Sequence, residues 1–368
     1  MYIIIALVAL VFVVLTGIVI ARLQNVLKSV TPSESADAEP SGNRWNGALF
    51  IVILIVGAVT ITWSYLHARE FFLPTASSVH GRRTDDLFWF SMGILTIPFI
   101  LVNFLIFFFA WKYQHKKNHR ASFYPDNHKL ELIWTIIPAI VMALLVFTGW
   151  KAWSDITADA PRDAEVIEIT GKQFNWIVRY PGVNDNKLGD YNFKLIDAQN
   201  EVGIDLSDEN SFDDFTNPSE MHIPVNRPVL LKIRARDVLH SVFIPHMRVK
   251  MDAVPGMPTK FWFVPDKTTA DMRAELNNPN FDYEIACTEI CGQGHFSMKM
   301  RLIVEDEASY KKWCAEQKTF LETYPEYLAK VPENLKAKAM KYVPAEAASP
   351  ADTSATSVGS GAVTSSLR

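Results

Sequence analysis

Apolar residues crowd the first 151 positions in four long runs, Tyr2–Ala21, Gly47–Leu66, Leu87–Trp111 and Leu132–Trp150. Each is close to the roughly 20 residues that a helix needs to cross a bilayer core. From Ala164 the pattern changes. The apolar stretches shorten to VIEIT, NWIVRY, VLLKIRA, KFWFVP, FDYEIAC and MKMRLIVE, separated by Pro, Gly, Asn and Asp. Short β-branched and aromatic runs punctuated in this way predict an antiparallel sandwich or barrel. Past Glu305, SYKKWCAEQKTFLETY has helical composition, with breaks at Pro332 and Pro344, and the tail that follows lacks aromatics and reads as disordered. The organisation expected is two N-terminal helices with loops (1–84), a helical hairpin (85–151), an external β domain (152–305), a helical extension (306–343) and a tail (344–368).

The connection from Lys112 to Lys129 carries Lys112, Lys116, Lys117, Arg120 and Lys129 against one acid, Asp126. Basic loops stay on the cytoplasmic side, so the β domain after Trp150 is expected on the outer face of a bacterial inner membrane, the chain being multi-pass. A cleaved signal peptide is the alternative for the first run. No basic residue precedes that run. Cleavage would also leave three spans and put the β domain inside, whereas four retained helices put it outside. The formal net charge of −4 gives no sign of nucleic-acid binding.

The chemistry concentrates between Cys287 and Met298, where the chain reads CTEICGQGHFSM. Two thiols, an imidazole and a thioether fall within this one stretch. Soft sulfur ligands select copper, and cysteine with histidine and a weak methionine is a ligand set of electron-transfer copper. Two cysteines are one more than a mononuclear blue-copper site uses, which points to thiolates bridging two coppers. A Cys287–Cys291 disulfide and a zinc site are the alternatives on these residues alone. A site needs ligands beyond one loop, and His240 and His246 both follow predicted strand sequence upstream; His222 reads as structural.

DVLHS, VKMDAVPG and CTEICGQGHFSM together resemble subunit II of haem–copper cytochrome c oxidases, and ELIWTIIPA at Glu131–Ala139 resembles that family's second transmembrane helix. The resemblance runs from about Asp85 to Glu305 and leaves out the first two helices and the C-terminal extension. It implies a cupredoxin-like Greek-key sandwich holding a dinuclear CuA centre. Cys287 and Cys291 would bridge the coppers, His240 and His295 would each bind one, Met298 would be the weak ligand, and Glu289 would offer its backbone carbonyl. The matching position selects His240 over His246. The resemblance further implies a Mg2+ shared with subunit I through Glu289, a subunit I boundary near Asp252, and a proton-pathway entrance at Glu131, which on its own reads equally as a helix-start carboxylate. The implied partners are subunits I and III, membrane lipid and a cytochrome c, and the implied activity is electron delivery to haem a for O2 reduction coupled to proton pumping.

The chain departs from that pattern in two places. In GKQFNWIVRYPG, Phe174 stands where many members carry the first Trp of a W-x-W cluster, leaving Trp176 and Tyr180 as candidates for accepting electrons, with buried core aromatics as the competing reading for both; Met257 replaces the arginine that often follows AVPG. Ten acids and two lysines between Val183 and Glu220 suggest an acidic face that would steer a basic donor. No C-x-x-C-H occurs, so the donor is expected to be a separate protein or a c-haem-bearing partner complex such as alternative complex III. Alternatives to the oxidase reading are a CuA-bearing nitric oxide reductase subunit and a copper-free quinol oxidase subunit II.

Overall fold

The computed structural model describes residues 2–29, 43–116, 122–182 and 186–344; the tail expected to be disordered lies outside them, Pro344 excepted. The chain divides into two units, Met1–Arg69 with Ile94–Trp134, and Glu70–Gly93 with Thr135–Arg368. Four long helices open the chain: α1 (Tyr2–Ser29), α2 (Asn43–Ala68), α3 (Val79–Lys112) and α4 (His128–Ile156). Three stretches are long and apolar enough to cross a membrane, namely Asn43–Phe71, Val79–Lys112 and His128–Ile156. Within α1 the apolar helix Val14–Val26 is shorter. Helix α3 starts earlier than its apolar run because VHGRRTDD continues the helix in polar residues.

Ten strands form two five-stranded sheets. They are β1 (Glu165–Lys172), β2 (Asn175–Tyr180), β3 (Phe215–Asn217), β4 (Glu220–Pro224), β5 (Val229–Ala235), β6 (His240–Ile244), β7 (Val249–Ala253), β8 (Thr259–Phe263), β9 (Tyr283–Cys287) and β10 (Lys299–Glu305). One sheet has the order β3-β2-β1-β5-β8 and the other β4-β10-β9-β6-β7. The expected antiparallel sandwich is found with two exceptions: β1 runs parallel to β5, and β10 parallel to β4. Parallel neighbours need long connections, and both pairs join strands far apart in sequence, so no local pattern announces them.

The two inner faces close on one core. Ile167, Ile169, Trp176, Val178, Tyr180, Leu231, Ile233, Val242, Tyr283, Ile285 and Leu302 are all buried in it. Strand β5 alternates buried and half-buried positions, as a strand with one wet face should. Strands β1 and β2 do not, because their outer face is covered as well. The cover is the segment between β2 and β3 together with α7 (Phe320–Thr323) and α8 (Glu333–Ala339) of the C-terminal extension; its first helix, α6 (Glu307–Ala315), instead packs Tyr310 into the main core, and the short α5 (Thr269–Glu275) precedes all three. Ile177, Val202, Ile204, Leu206, Phe212, Phe320, Leu321, Tyr327 and Val331 make a second core there.

Polar groups fasten this cover. Buried Arg179 donates from Nε to Asp214 Oδ2 at 2.9 Å and from Nη2 to Gly189 O at 2.9 Å, and Glu168 pairs with it from β1. Burial lowers the tendency of the guanidinium to stay charged, but Asp214 and Glu168 outweigh it and hold the group above its ordinary value. Tyr327 Oη donates to Asp197 at 2.5 Å, Lys330 reaches Asp197 at 3.0 Å, and Lys338 pairs with Glu209. Asp197, Glu209 and Asp214 are thus paired within the chain, as are Glu201, with Lys172 and Arg236, and Glu220, with Arg301, so at least half of the ten acids expected to form a free acidic face are engaged.

Candidate metal centre

The site assembles at one end of the β6–β9–β10 sheet. Cys287 is the last residue of β9, His240 the first of β6, and β6 pairs with β9 through Val242 opposite Cys287. Between Cys287 and β10 the loop folds back: Cys287 N donates to Met298 O at 3.1 Å, Thr288 N to Ser241 O at 3.2 Å and His295 N to Gly292 O at 3.2 Å. A 3-10 turn over His295–Ser297 then delivers Met298 inward. A loop that short cannot reach another strand, so the second histidine has to come from the neighbouring β6.

The donors converge. Cys287 Sγ lies 4.0 Å from Cys291 Sγ and 3.9 Å from His240 Nδ1, while Cys291 Sγ lies 3.6 Å from His295 Nδ1 and 3.9 Å from Met298 Sδ. Cys287 also sits 3.2 Å from the carbonyl oxygen of Glu289. Both cysteines are free, and a disulfide would hold the sulfurs at about 2.05 Å. Thiolate–metal bonds of about 2.3 Å allow one ion to bind two sulfurs up to about 4.6 Å apart, so the pair can share metal. Among the described residues, His240, Cys287 and Cys291 are the one cluster of His, Cys, Asp or Glu donors within ligand distance. All three are buried, as is Met298, and His295 is half-buried. Burial first, and the Cys287 thiol second, push the Cys291 thiol up to about 11. Cys291 is therefore held as a thiol at neutral pH, and metal binding there would displace its proton. Sulfur-rich donors with a thioether fit copper.

Asp237 orients His240. Its Oδ1 accepts from His240 Nε2 at 2.8 Å and from Val238 N at 2.7 Å, and its Oδ2 accepts from Gln173 N at 2.8 Å. An ionised carboxylate only accepts, so the ring proton sits on Nε2 and the bare Nδ1 faces Cys287. Burial would raise the Asp237 carboxyl, but these bonds hold it below the ordinary value. Gln173 Nε2 in turn donates to Cys291 O at 2.5 Å. Neither residue was picked out from the sequence. The spacing of Asp237, three before His240 in DVLHS, was the available signal for one; Gln173 had none.

The remaining candidates fall elsewhere. His246 lies past the far end of β6, packed edge-on against Phe281 and Tyr283. His222 is held by Glu305 and Glu220 and stacks on Trp313 at 4.0 Å, a structural role. Glu289 has an exposed side chain on the loop. Asp252 accepts from Ser241 Oγ at 2.7 Å, beside His240. Glu131 lies in the first turn of α4, 3.2 Å from His128 Nδ1, while Asn127 supplies the cap through Leu130 N. Trp176 is fully buried, edge-on to His240 with ring centroids 6.0 Å apart. It has no surface to offer a partner. Two rings are exposed at this end: Phe296, 82 % exposed in the turn beside His295, and Phe174, 37 % exposed and packed so closely over Gly294 that a β-carbon there would lie 2.5 Å from its ring.

Comparisons with known proteins agree with this geometry. The family model for the transmembrane domain of cytochrome c oxidase subunit II matches residues 62–151, and that for its periplasmic domain matches 165–306. The alternative cytochrome c oxidase subunit 2 of Bradyrhizobium diazoefficiens is 30 % identical over 74 % of this chain and 92 % of its own length. Cytochrome c oxidase subunit 2 of Cereibacter sphaeroides is 27 % identical over 66 % of this chain and 78 % of its own. With membrane helices, a sandwich on the outer side and His240, Cys287, Cys291 and Met298 gathered at one end, the chain belongs to the cytochrome c oxidase subunit II family and is a subunit of an oxidoreductase complex built with subunit I.

Proposed function

We propose that this chain is the electron-transfer subunit of a terminal oxidase, accepting electrons from a cytochrome c and delivering them to haem a in subunit I, where O2 reduction is coupled to proton pumping. The observation that carries the reading is the convergence of two thiols, two imidazole Nδ1 atoms and a thioether in one buried cluster. When bound, a dinuclear copper centre supplies a one-electron redox group shared by two metals. Cys287, Cys291, His240, His295 and Met298 would hold it, with the Glu289 carbonyl oxygen as a further donor beside Cys287.

The protein's part is rigidity. The ligands hang from β6, the end of β9 and the loop that leads into β10, and Asp237 fixes the His240 ring, so the groups that would hold the metal need little movement when charge changes. On this reading all four helices span a bacterial inner membrane, the basic 112–129 connection is cytoplasmic, Glu131 stands at a proton-pathway entrance, and the Glu289 carboxylate reaches a Mg2+ shared with subunit I. Subunit III is a further partner. Phe174 in place of tryptophan, and the added helices α1 and α2, favour a dedicated c-haem-bearing donor complex such as alternative complex III over a freely diffusing cytochrome alone. A copper-free quinol oxidase subunit is disfavoured because every soft donor is kept, and a nitric oxide reductase assembly is distinguished by its partner subunit.

The test is an electron paramagnetic resonance spectrum of the copper-loaded full-length chain in detergent. Hyperfine structure from one unpaired electron shared equally by two copper nuclei supports the centre, and Cys291→Ser should abolish it. A spectrum of isolated single coppers in the unaltered protein would overturn it.

A further inference from the structure

Helices α2 and α3 enclose a feature that lies largely outside the segment matched by the family model, which starts at residue 62. Near their adjoining ends, Asn43 Nδ2 donates to His115 O at 2.6 Å and Gly47 is buried beneath the Gln114 side chain. These contacts bring the two helix ends together. Beside them runs an apolar groove of about 430 Å³, lined by Ala48, Ile51 and Val52 of α2 and by Phe108 and Trp111 of α3.

Helical spacing places a cation at the polar end of each wall. Arg44 precedes Ala48, Ile51 and Val52 by four, seven and eight residues, so it shares their face of α2. Lys112 follows Phe108 by four on α3, and its Nζ lies 5.4 Å from the Phe108 ring centroid. Neither Arg44 nor Lys112 forms an ion pair among the described residues, and the α2 stretch 43–52 and the α3 end 108–116 contain no acid. Arg44 also stands in the first turn of a long helix, where the unsatisfied N–H groups already favour an anion. Trp45 and Trp111 are exposed at this level, as residues at a bilayer interface are. An apolar trough of acyl-chain character that opens at two cations with no ion pair among the described residues has the chemistry of one ligand class.

We propose that the α2–α3 groove binds an anionic phospholipid, with an acyl chain along Ala48, Ile51, Val52, Phe108 and Trp111 and the phosphate at Arg44 and Lys112. The lipid belongs to the leaflet on the side of the basic 112–129 connection. A bound lipid would fill the cleft that added helix α2 creates and tie α2 to α3, which is a role for a helix that carries none of the copper ligands.

The assembled oxidase, reconstituted in phosphatidylcholine vesicles containing diazirine-bearing phosphatidylglycerol or, separately, diazirine-bearing phosphatidylcholine, tests this by mapping of the labelled peptides. Each cation near an anionic headgroup favours it by about fivefold, so phosphatidylglycerol should label 43–52 and 108–112 at least about tenfold more than phosphatidylcholine. Arg44→Gln with Lys112→Gln should bring the two lipids level, and Ile51→Trp, which fills the groove, should remove labelling by both. Equal labelling of the unaltered complex by both lipids would overturn the proposal, leaving a non-selective lipid contact. No labelling at these segments would overturn it too, with a protein helix in the groove. Both readings come from the unaltered complex, so a variant that fails to assemble does not weaken the test.

Discussion

The copper end and the covered outer face of β1 and β2 both bury polar groups, and they differ in where the cation comes from. Under the cover, Arg179 is the cation and Asp214 and Glu168 stand around it, so the cluster is complete as the chain folds. At the copper end every converging atom is an electron-pair donor, and no side-chain cation lies among them. These donors, packed against one another, are arranged for a cation that the chain does not supply. A buried salt bridge and a metal site thus use the same principle of compensation. Only the second leaves the compensating charge, and with it redox chemistry, to a partner from outside.

Breaking the protein-supplied cation site should have the largest effect on stability. Asp214→Ala leaves Arg179 buried without its main carboxylate and should cost about 3–5 kcal/mol, read as a lowered unfolding midpoint of the full-length chain. Replacing both partners by apolar residues, Arg179→Met with Asp214→Leu, should recover most of that loss, since two buried charges then disappear together. Copper uptake should change little in the double variant, which separates the two clusters.

At the copper end the corresponding change is in affinity. Asp237→Ala frees the His240 ring and should weaken copper binding by about 10–100-fold, measured by competition with a chelator, with a smaller drop in unfolding midpoint than Asp214→Ala. Asp237→Asn should fall between that variant and the unaltered chain. No change in either substitution would show that the strand, and not the carboxylate, sets the ring.

The smallest effect concerns the edge of the cover. The Tyr327 hydroxyl first, and the Asn200 N–H next, hold the Asp197 carboxyl well below its ordinary value. A depressed carboxyl stabilises the folded form above the unfolded value of about 4 and loses that contribution as pH falls below it. Amide protection factors across residues 320–343, taken against the intrinsic exchange rate at each pH, should therefore fall below about pH 4, and Asp197→Asn should remove that pH dependence while leaving the copper end unaffected.

How much of this was legible follows from distance along the chain. CTEICGQGHFSM carries four of the donors because one loop can hold them, and its composition already separates it from a zinc or disulfide motif once Met298 is counted. His240 required knowing that β6 lies beside β9, which the motif DVLHS supplied through resemblance. Asp237 and Gln173 act through single hydrogen bonds across the sheet end, and such contacts leave little trace in composition or period. Trp176 read as a candidate contact for a donor, but its place on the inner face of β2 buries it against His240 and leaves Phe174 at the surface. The acids of 183–220 read as an open face, but the helical extension pairs Asp197 and Glu209, and β2 pairs Asp214 through Arg179.

The sequence by itself determined the membrane helices, the strand-rich domain that follows them, and the soft-metal character of the site. These rest on apolar run length, period and ligand type, which are local properties. Tertiary structure alone decided the two parallel strand pairings, the second core beneath α7 and α8, the carboxylate that sets the His240 tautomer and the groove between α2 and α3. Each depends on residues tens of positions apart meeting in space, and the free energy of such a meeting belongs to the packed whole and not to any segment of it.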